Sequence, residues 1–164
     1  MNDTTFYAAA DAALQRECRR LRELTDALDR APAEKEKRIA EYKCTKYRLA
    51  SVLFIHSILY NNNLYRGVRD LKDSHYLTAS FDEIFKKRAD HLSLYESAPE
   101  EEKPDYSLYY LAAAFIDEET EMLESRLPLA SDWEKVELEE RLGGLGFARA
   151  CLDEAWQKRK DGIK

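Results

Sequence analysis

Arg69 and His75, six residues apart, are the pair in this chain best suited to chemistry. A histidine titrates near neutrality and can move a proton. An arginine can stabilise charge building on a phosphoryl oxygen. The run Arg69-Asp70-Leu71-Lys72-Asp73-Ser74-His75-Tyr76 therefore holds the residue types that phosphate-ester cleavage needs. The other two histidines have plainer surroundings. His56 lies among Leu53, Leu59 and Tyr60 and reads as a core or interface histidine with one satisfied nitrogen. His91 follows Lys86-Lys87-Arg88 and reads as a solvated neighbour of that basic cluster.

The Arg69–His75 run resembles the active-site motif of HEPN ribonucleases. In those small helical bundles the arginine and histidine lie at a dimer interface and act on a scissile RNA phosphate. Asp70, just after the arginine, and Tyr76, just after the histidine, match that motif too. Ser74 departs from it, because a small apolar residue usually precedes the histidine. The resemblance implies a helical fold and an RNA-cleaving dimer with Arg69 and His75 as its catalytic pair. It covers only seven or eight residues.

Other chemistry is less well supplied. Glu118, Glu121 and Glu124 share a helix face by their three-residue spacing, but the second Glu-x-x-Asp half used by all-α NTP pyrophosphohydrolases is missing downstream. No Glu-x-x-His pair of the di-iron kind occurs. Cys18, Cys44 and Cys151 are odd in number and far apart, with no Cys-x-x-Cys, so neither a zinc site nor a disulfide framework is expected. Gly143-Gly144-Leu145-Gly146 lacks the Gly-Lys-Ser/Thr ending of a phosphate loop and reads as close helix packing or a kink. No metal and no cofactor is expected.

Charge and aromatic content point towards binding. Residues 1–90 carry 17 Lys/Arg and 14 Asp/Glu, whereas residues 91–164 carry 9 and 18. Such polarity can steer a charged partner or align copies head to tail. An isoelectric point near 5.2 argues against a dedicated nucleic-acid binder. The acidic second half also admits an inhibitor that imitates nucleic acid. Ten tyrosines are present, and tyrosine is enriched at protein interfaces. Tyr106, Tyr109 and Tyr110 cluster at the start of one predicted helix, and Tyr65, Arg66, Arg69, His75 and Tyr76 crowd the irregular segment before it. These eight residues are the expected binding surface of a non-enzymatic interaction module (adaptor, regulator or inhibitor), with an unidentified protein or a second copy as partner. RNA cleavage by Arg69 and His75 is the alternative.

The elements that must position these residues are helices. Five glycines and four prolines punctuate 164 residues, and none of the glycines precedes Gly67. Hairpins would need turn residues at short intervals. The expected fold is an all-α, single-domain bundle of five to six helices spanning 1–164, with a long central second helix. Helix one runs over about 3–30, with Leu14, Cys18, Leu21, Leu24 and Leu28 as its stripe. Helix two runs from Pro32 to Asn61–Asn63, and its polar start projects, pairs only with helix one, or bends. An irregular segment over 61–79 follows, and helix three starts at Ser80 with a Ser-x-x-Glu capping box. An acidic exposed linker covers 97–105. Helix four spans about 105–127, with Leu108, Ala112, Phe115, Ile116, Met122 and Leu123 inward. Helix five starts at Ser131 with Glu134 in a second box, buries Trp133, Val136 and Leu142, and breaks or kinks at the glycines before a last helix. The longest apolar window, 49–60, is too short to span a bilayer. The N-terminus lacks a signal-peptide pattern and the cysteines suit a reducing cytoplasm.

Overall fold

The computed structural model describes residues 5–65, 93–94 and 96–162. Its described residues form an all-α bundle without strands. Five helices are bounded within them: α1 (Thr5–Asp29), α2 (Pro32–Lys37), α3 (Ile39–Tyr65), α4 (Lys103–Arg126) and α5 (Asp132–Gly162). A single 3-10 turn, Leu127–Leu129, joins α4 to α5. The expected helix from Ser80 lies outside the described residues except near its end, where residues 93, 94 and 96 are helical. Among those described, no helix is long and apolar enough to cross a membrane.

The predicted second helix is two helices. Its polar start, Pro32–Lys37, buries no residue and so has no face to hold it in line with α3. Asp29, at the end of α1, pulls it aside. Asp29 Oδ1 accepts hydrogen bonds from Lys35 Nζ and from the Tyr42 hydroxyl, both at 2.8 Å. The chain bends at Arg38, and the long straight run begins at Ile39. At its other end α3 continues through Asn61-Asn62-Asn63 to Tyr65. Local propensity disfavours asparagine in a helix only weakly. Here Leu59 and Asn63, four residues apart, are both buried, and packing carries the helix onward.

Core periodicity is close to the expected one, with instructive shifts. On α1 the buried residues are Phe6, Tyr7, Ala10, Leu14, Glu17, Cys18, Leu21, Thr25 and Leu28. Leu24 is 40% exposed, and Thr25 takes the inward place, donating its hydroxyl hydrogen to the Arg22 carbonyl. On α4 the run Leu111–Ala114 is buried, while Met122 is exposed. The α5 core is Leu138, Leu145, Ala148, Cys151, Leu152, Ala155 and Trp156, and neither Trp133 nor Val136 belongs to it. The start of α5 is capped as predicted. Glu134 N–H donates to Ser131 Oγ, and Ser131 N–H donates to Glu134 Oε2.

Helix α3 packs against α1, α4 and α5 and is the centre of the bundle. The predicted break at Gly143–Gly146 is absent: α5 runs unbroken through all three glycines, none with positive φ. Gly144 allows a close approach of α5 to α3. A Cβ there would sit 2.7 Å from the Arg48 carbonyl oxygen and 2.9 Å from Ser51 Cβ. Gly146 faces open space. The two positions should therefore respond oppositely to alanine. Gly146→Ala should stabilise the protein by up to about 1 kcal/mol through helix propensity. Gly144→Ala should destabilise it by about 1–3 kcal/mol, because the α3 backbone has to move. Urea denaturation of both variants checks this; equal effects would refute the close-packing role.

The helix directions give the bundle two distinct ends. His56 of α3 meets Asp11 of α1, and Tyr42 meets Asp29, so α1 and α3 are antiparallel. Trp133 of α5 lies beside Lys43, and Gly144 beside Arg48, so α3 and α5 run the same way. One end holds the α1–α2–α3 hairpin and the α4–α5 turn. The other holds the starts of α1 and α4 and the ends of α3 and α5.

Candidate functional site

Of the eight predicted binding residues, Arg66, Arg69, His75 and Tyr76 lie outside the described residues, and Tyr65 is the last residue of α3. The other three come together. Tyr109 is buried and stacks on Trp156, with ring centroids 4.6 Å apart and planes within 7°. Phe6 packs edge-on against both rings. Tyr106 and Tyr110, half-buried, meet Trp156 edge-on at 5.0 and 5.9 Å. These tyrosines therefore join the start of α4 to the end of α5 and the start of α1.

Polar groups complete the joint. The Tyr109 hydroxyl donates to Asp153 Oδ1 at 2.6 Å, and Arg149 bridges Asp153 and Asp117 at 3.2 Å each. Arg159, with a side chain only 6% exposed, donates from Nε to Asp105 Oδ2 at 2.6 Å. Its guanidinium lies 4.9 Å from the Trp156 ring centre. So the end of the predicted exposed linker is not free: Glu102 and Asp105 both face Arg159.

Burial, reinforced by the neighbouring Asp153 carboxylate, pushes the Tyr109 phenol above its ordinary pKa of 10. A raised folded-state value favours the neutral phenol in the folded protein. Its contribution is complete below pH 10 and is lost as pH rises from 10 towards the higher folded-state value. Tyr109→Phe should cost about 1 kcal/mol at pH 7 and flatten the decline of stability above pH 10. Thermal melts from pH 7 to 11 measure both, and an unchanged alkaline slope would refute the assignment.

A groove of about 360 Å³ between α1 and α3 is the second place with titratable groups; Arg19, Arg22, Glu23, Asp26, Leu53 and His56 line it. His56 Nε2 is 2.7 Å from Asp11 Oδ1, and Gln15 bonds the other Asp11 oxygen. One imidazole nitrogen is thus satisfied. Cys18 also lines the groove, but burial raises its thiol pKa, so its environment opposes thiolate formation. Among the described residues no group of three or more His, Cys, Asp or Glu is placed to hold a metal ion.

The third place is at the hairpin end. Trp133, in the first turn of α5, is 48% exposed although it is one of the two largest apolar side chains in the sequence. Leu138 is five residues on, about 140° round the helix, and it is Leu138 that faces the core. The indole is nevertheless held in place. Tyr47 of α3 meets it edge-on at 6.4 Å, and Lys43 Nζ sits 4.4 Å from its ring centroid. Val136, three residues along α5, is 38% exposed. Ile39, one turn before Lys43 on α3, is 42% exposed, and Leu129 in the α4–α5 turn is 90% exposed. With Trp133 these exposed apolar side chains make up an apolar shelf, which the Lys43 and Tyr47 contacts place at the seam of α3 and α5.

The chain matches no known family model, no curated protein and no solved structure. Only its own geometry bears on function.

The shelf was not among the residues singled out from sequence, where Trp133 and Val136 read as core. A signal was present. Extending the strong Leu138–Leu145–Leu152 period backwards puts the inward position at residue 131, so Trp133 and Val136 fall on the flank.

Proposed function

We propose that this protein acts by binding another protein, without catalysis of its own, and that the Trp133 shelf is its contact surface. The supporting observation is the half-exposed indole clamped between Lys43 and Tyr47. Tryptophan is over-represented among residues that dominate binding energy. A side chain already held in one orientation loses little entropy on docking. The tyrosines of α4 play a different part in this reading: Tyr109 and its neighbours close the opposite end and keep the scaffold rigid.

Photocrosslinking in cells tests the proposal. A benzophenone amino acid at Val136 should give a discrete adduct, and Trp133→Ala should lower its yield at least tenfold. The same label at Gln157, exposed at the opposite end, should give no such adduct. No adduct from Val136, or equal yields with and without Trp133, would overturn the proposal.

A further inference from the structure

The two sides of the shelf carry opposite charge. On α3, residues 39–50 hold Lys43, Lys46 and Arg48 against Glu41, a net of +2. On α5, residues 132–142 hold five carboxylates against Lys135 and Arg141, a net of −3. Some of these charges neutralise each other across the seam, as Arg48 and Glu140 do at 3.6 Å. Lys43 is not so neutralised: among the described residues it has an aromatic ring beneath it and no carboxylate at ion-pair distance. Asp132 likewise stands exposed at the start of α5.

A surface that is apolar in the middle, basic on one side and acidic on the other sets a narrow requirement on its partner. A uniformly acidic partner would be repelled by α5, and a uniformly basic one by α3. The partner must present the same pair of charges in reversed order. A two-fold axis through the shelf supplies that arrangement, because it lays α3 of each copy on α5 of the other. Both basic-to-acidic contacts then form at once, and the two Trp133 rings, with Val136 and Ile39 beside them, are covered at the centre. Charged pairs at the rim of an interface set register and partner choice.

We propose that the shelf is a self-association surface and that its partner is a second copy of this chain, paired α3 on α5 about a two-fold axis. This rests on the reading of the shelf as a protein-binding surface and adds the identity of the partner. The arrangement makes an unusual prediction about charge reversal. Lys43→Glu takes the α3 side from a net of +2 to 0 and sets a carboxylate against the acidic α5 side of the other copy, so two copies of that variant lose their attraction. Glu137→Lys, one turn after Trp133, takes the α5 side from −3 to −1 and sets an ammonium against the basic α3 side of the other copy, so its copies lose attraction too. In a mixed pair, the altered α3 meets the altered α5, so the new carboxylate faces the new ammonium, and the native α3 meets the native α5. Both contacts are restored.

Sedimentation equilibrium on the full chain measures this. The wild type should show twice the 19.1 kDa chain mass at tens of micromolar. Lys43→Glu and Glu137→Lys alone should each raise the dimer dissociation constant at least tenfold, with helix content unchanged by circular dichroism. Their equimolar mixture should return to the dimer mass. Val136→Arg, which places a charge in the apolar centre without touching either pair, should also be monomeric. A wild-type chain that stays at monomer mass, or a mixture that does not recover, overturns the proposal. The crosslinking experiment separates the two readings: a Trp133-dependent adduct to a different protein would keep the binding surface and remove the second copy.

Discussion

Trp156→Ala should cost about 3–5 kcal/mol of folding stability, the range for removing a buried tryptophan side chain. That is a large share of the 5–15 kcal/mol that holds a typical domain together. Trp156 is 4% exposed and touches the rings of Phe6, Tyr106, Tyr109 and Tyr110 and the guanidinium of Arg159. Its removal takes away a group that joins α1 and α4 to the end of α5. Side-chain movement alone does not close the cavity, because Tyr109 stays tied to Asp153 by its hydroxyl and Phe6 stays edge-on against Tyr109. Urea denaturation followed by circular dichroism should show the loss as a lower midpoint, and near-ultraviolet ellipticity should fall in the folded baseline. Trp156→Phe keeps an aromatic partner for Tyr109 and should lose clearly less. A loss below 1 kcal/mol for the alanine variant would mean that this end of the bundle does not depend on the aromatic joint.

Arg159→Ala should be nearly as damaging, at about 3 kcal/mol, for an electrostatic reason. Arg159 and Asp105 are 2.6 Å apart, with side chains 6% and 13% exposed. The attraction within such a pair roughly repays the cost of taking two charges out of water, so the pair itself adds little. Removing one member is different, because the other stays buried without compensation. Asp105 is already short of partners: its Oδ1 is buried and makes no hydrogen bond. Replacing both residues by apolar ones of similar size, Asp105→Leu with Arg159→Met, should recover most of the loss. That recovery separates an isolated-charge penalty from a simple loss of packing on Trp156. A double variant as unstable as Arg159→Ala would refute the electrostatic account.

These two predictions concern residues that the sequence displays without ranking. Tyr106, Tyr109 and Tyr110 stand out as a cluster, and tyrosine suits an interface as well as a core. The choice between them depends on what faces the cluster. Trp156 lies 46 residues beyond Tyr110, and no periodicity along one helix reports on which face of another it meets. Arg159 is a similar case. A basic C-terminal turn, Lys158-Arg159-Lys160, reads as a solvated favourable end for the helix dipole. Lys160 is exposed as that reading requires, whereas Arg159 is buried because Asp105 meets it from α4.

What the sequence determined by itself is the all-α class, the start of α5 at its Ser131–Glu134 box, the ending of α4 before Pro128, and most of the apolar stripe of α1. Each depends on residues within a few positions of one another: hydrogen bonds between a cap and its first turn, the missing N–H of proline, the 3.6-residue period. Only the tertiary structure decided that Asn61–Asn63 stay helical, that the chain bends at Arg38, that three glycines lie inside an unbroken helix, and that Trp133 is a shelf instead of a core residue. Each of these turns on a neighbour distant in sequence. The packing around Leu59 and Asn63 outweighs a weak local preference, and Asp29 pulls α2 aside. The α3 backbone fills the space a Cβ on Gly144 would need, and Leu138 takes the inward place next to Trp133.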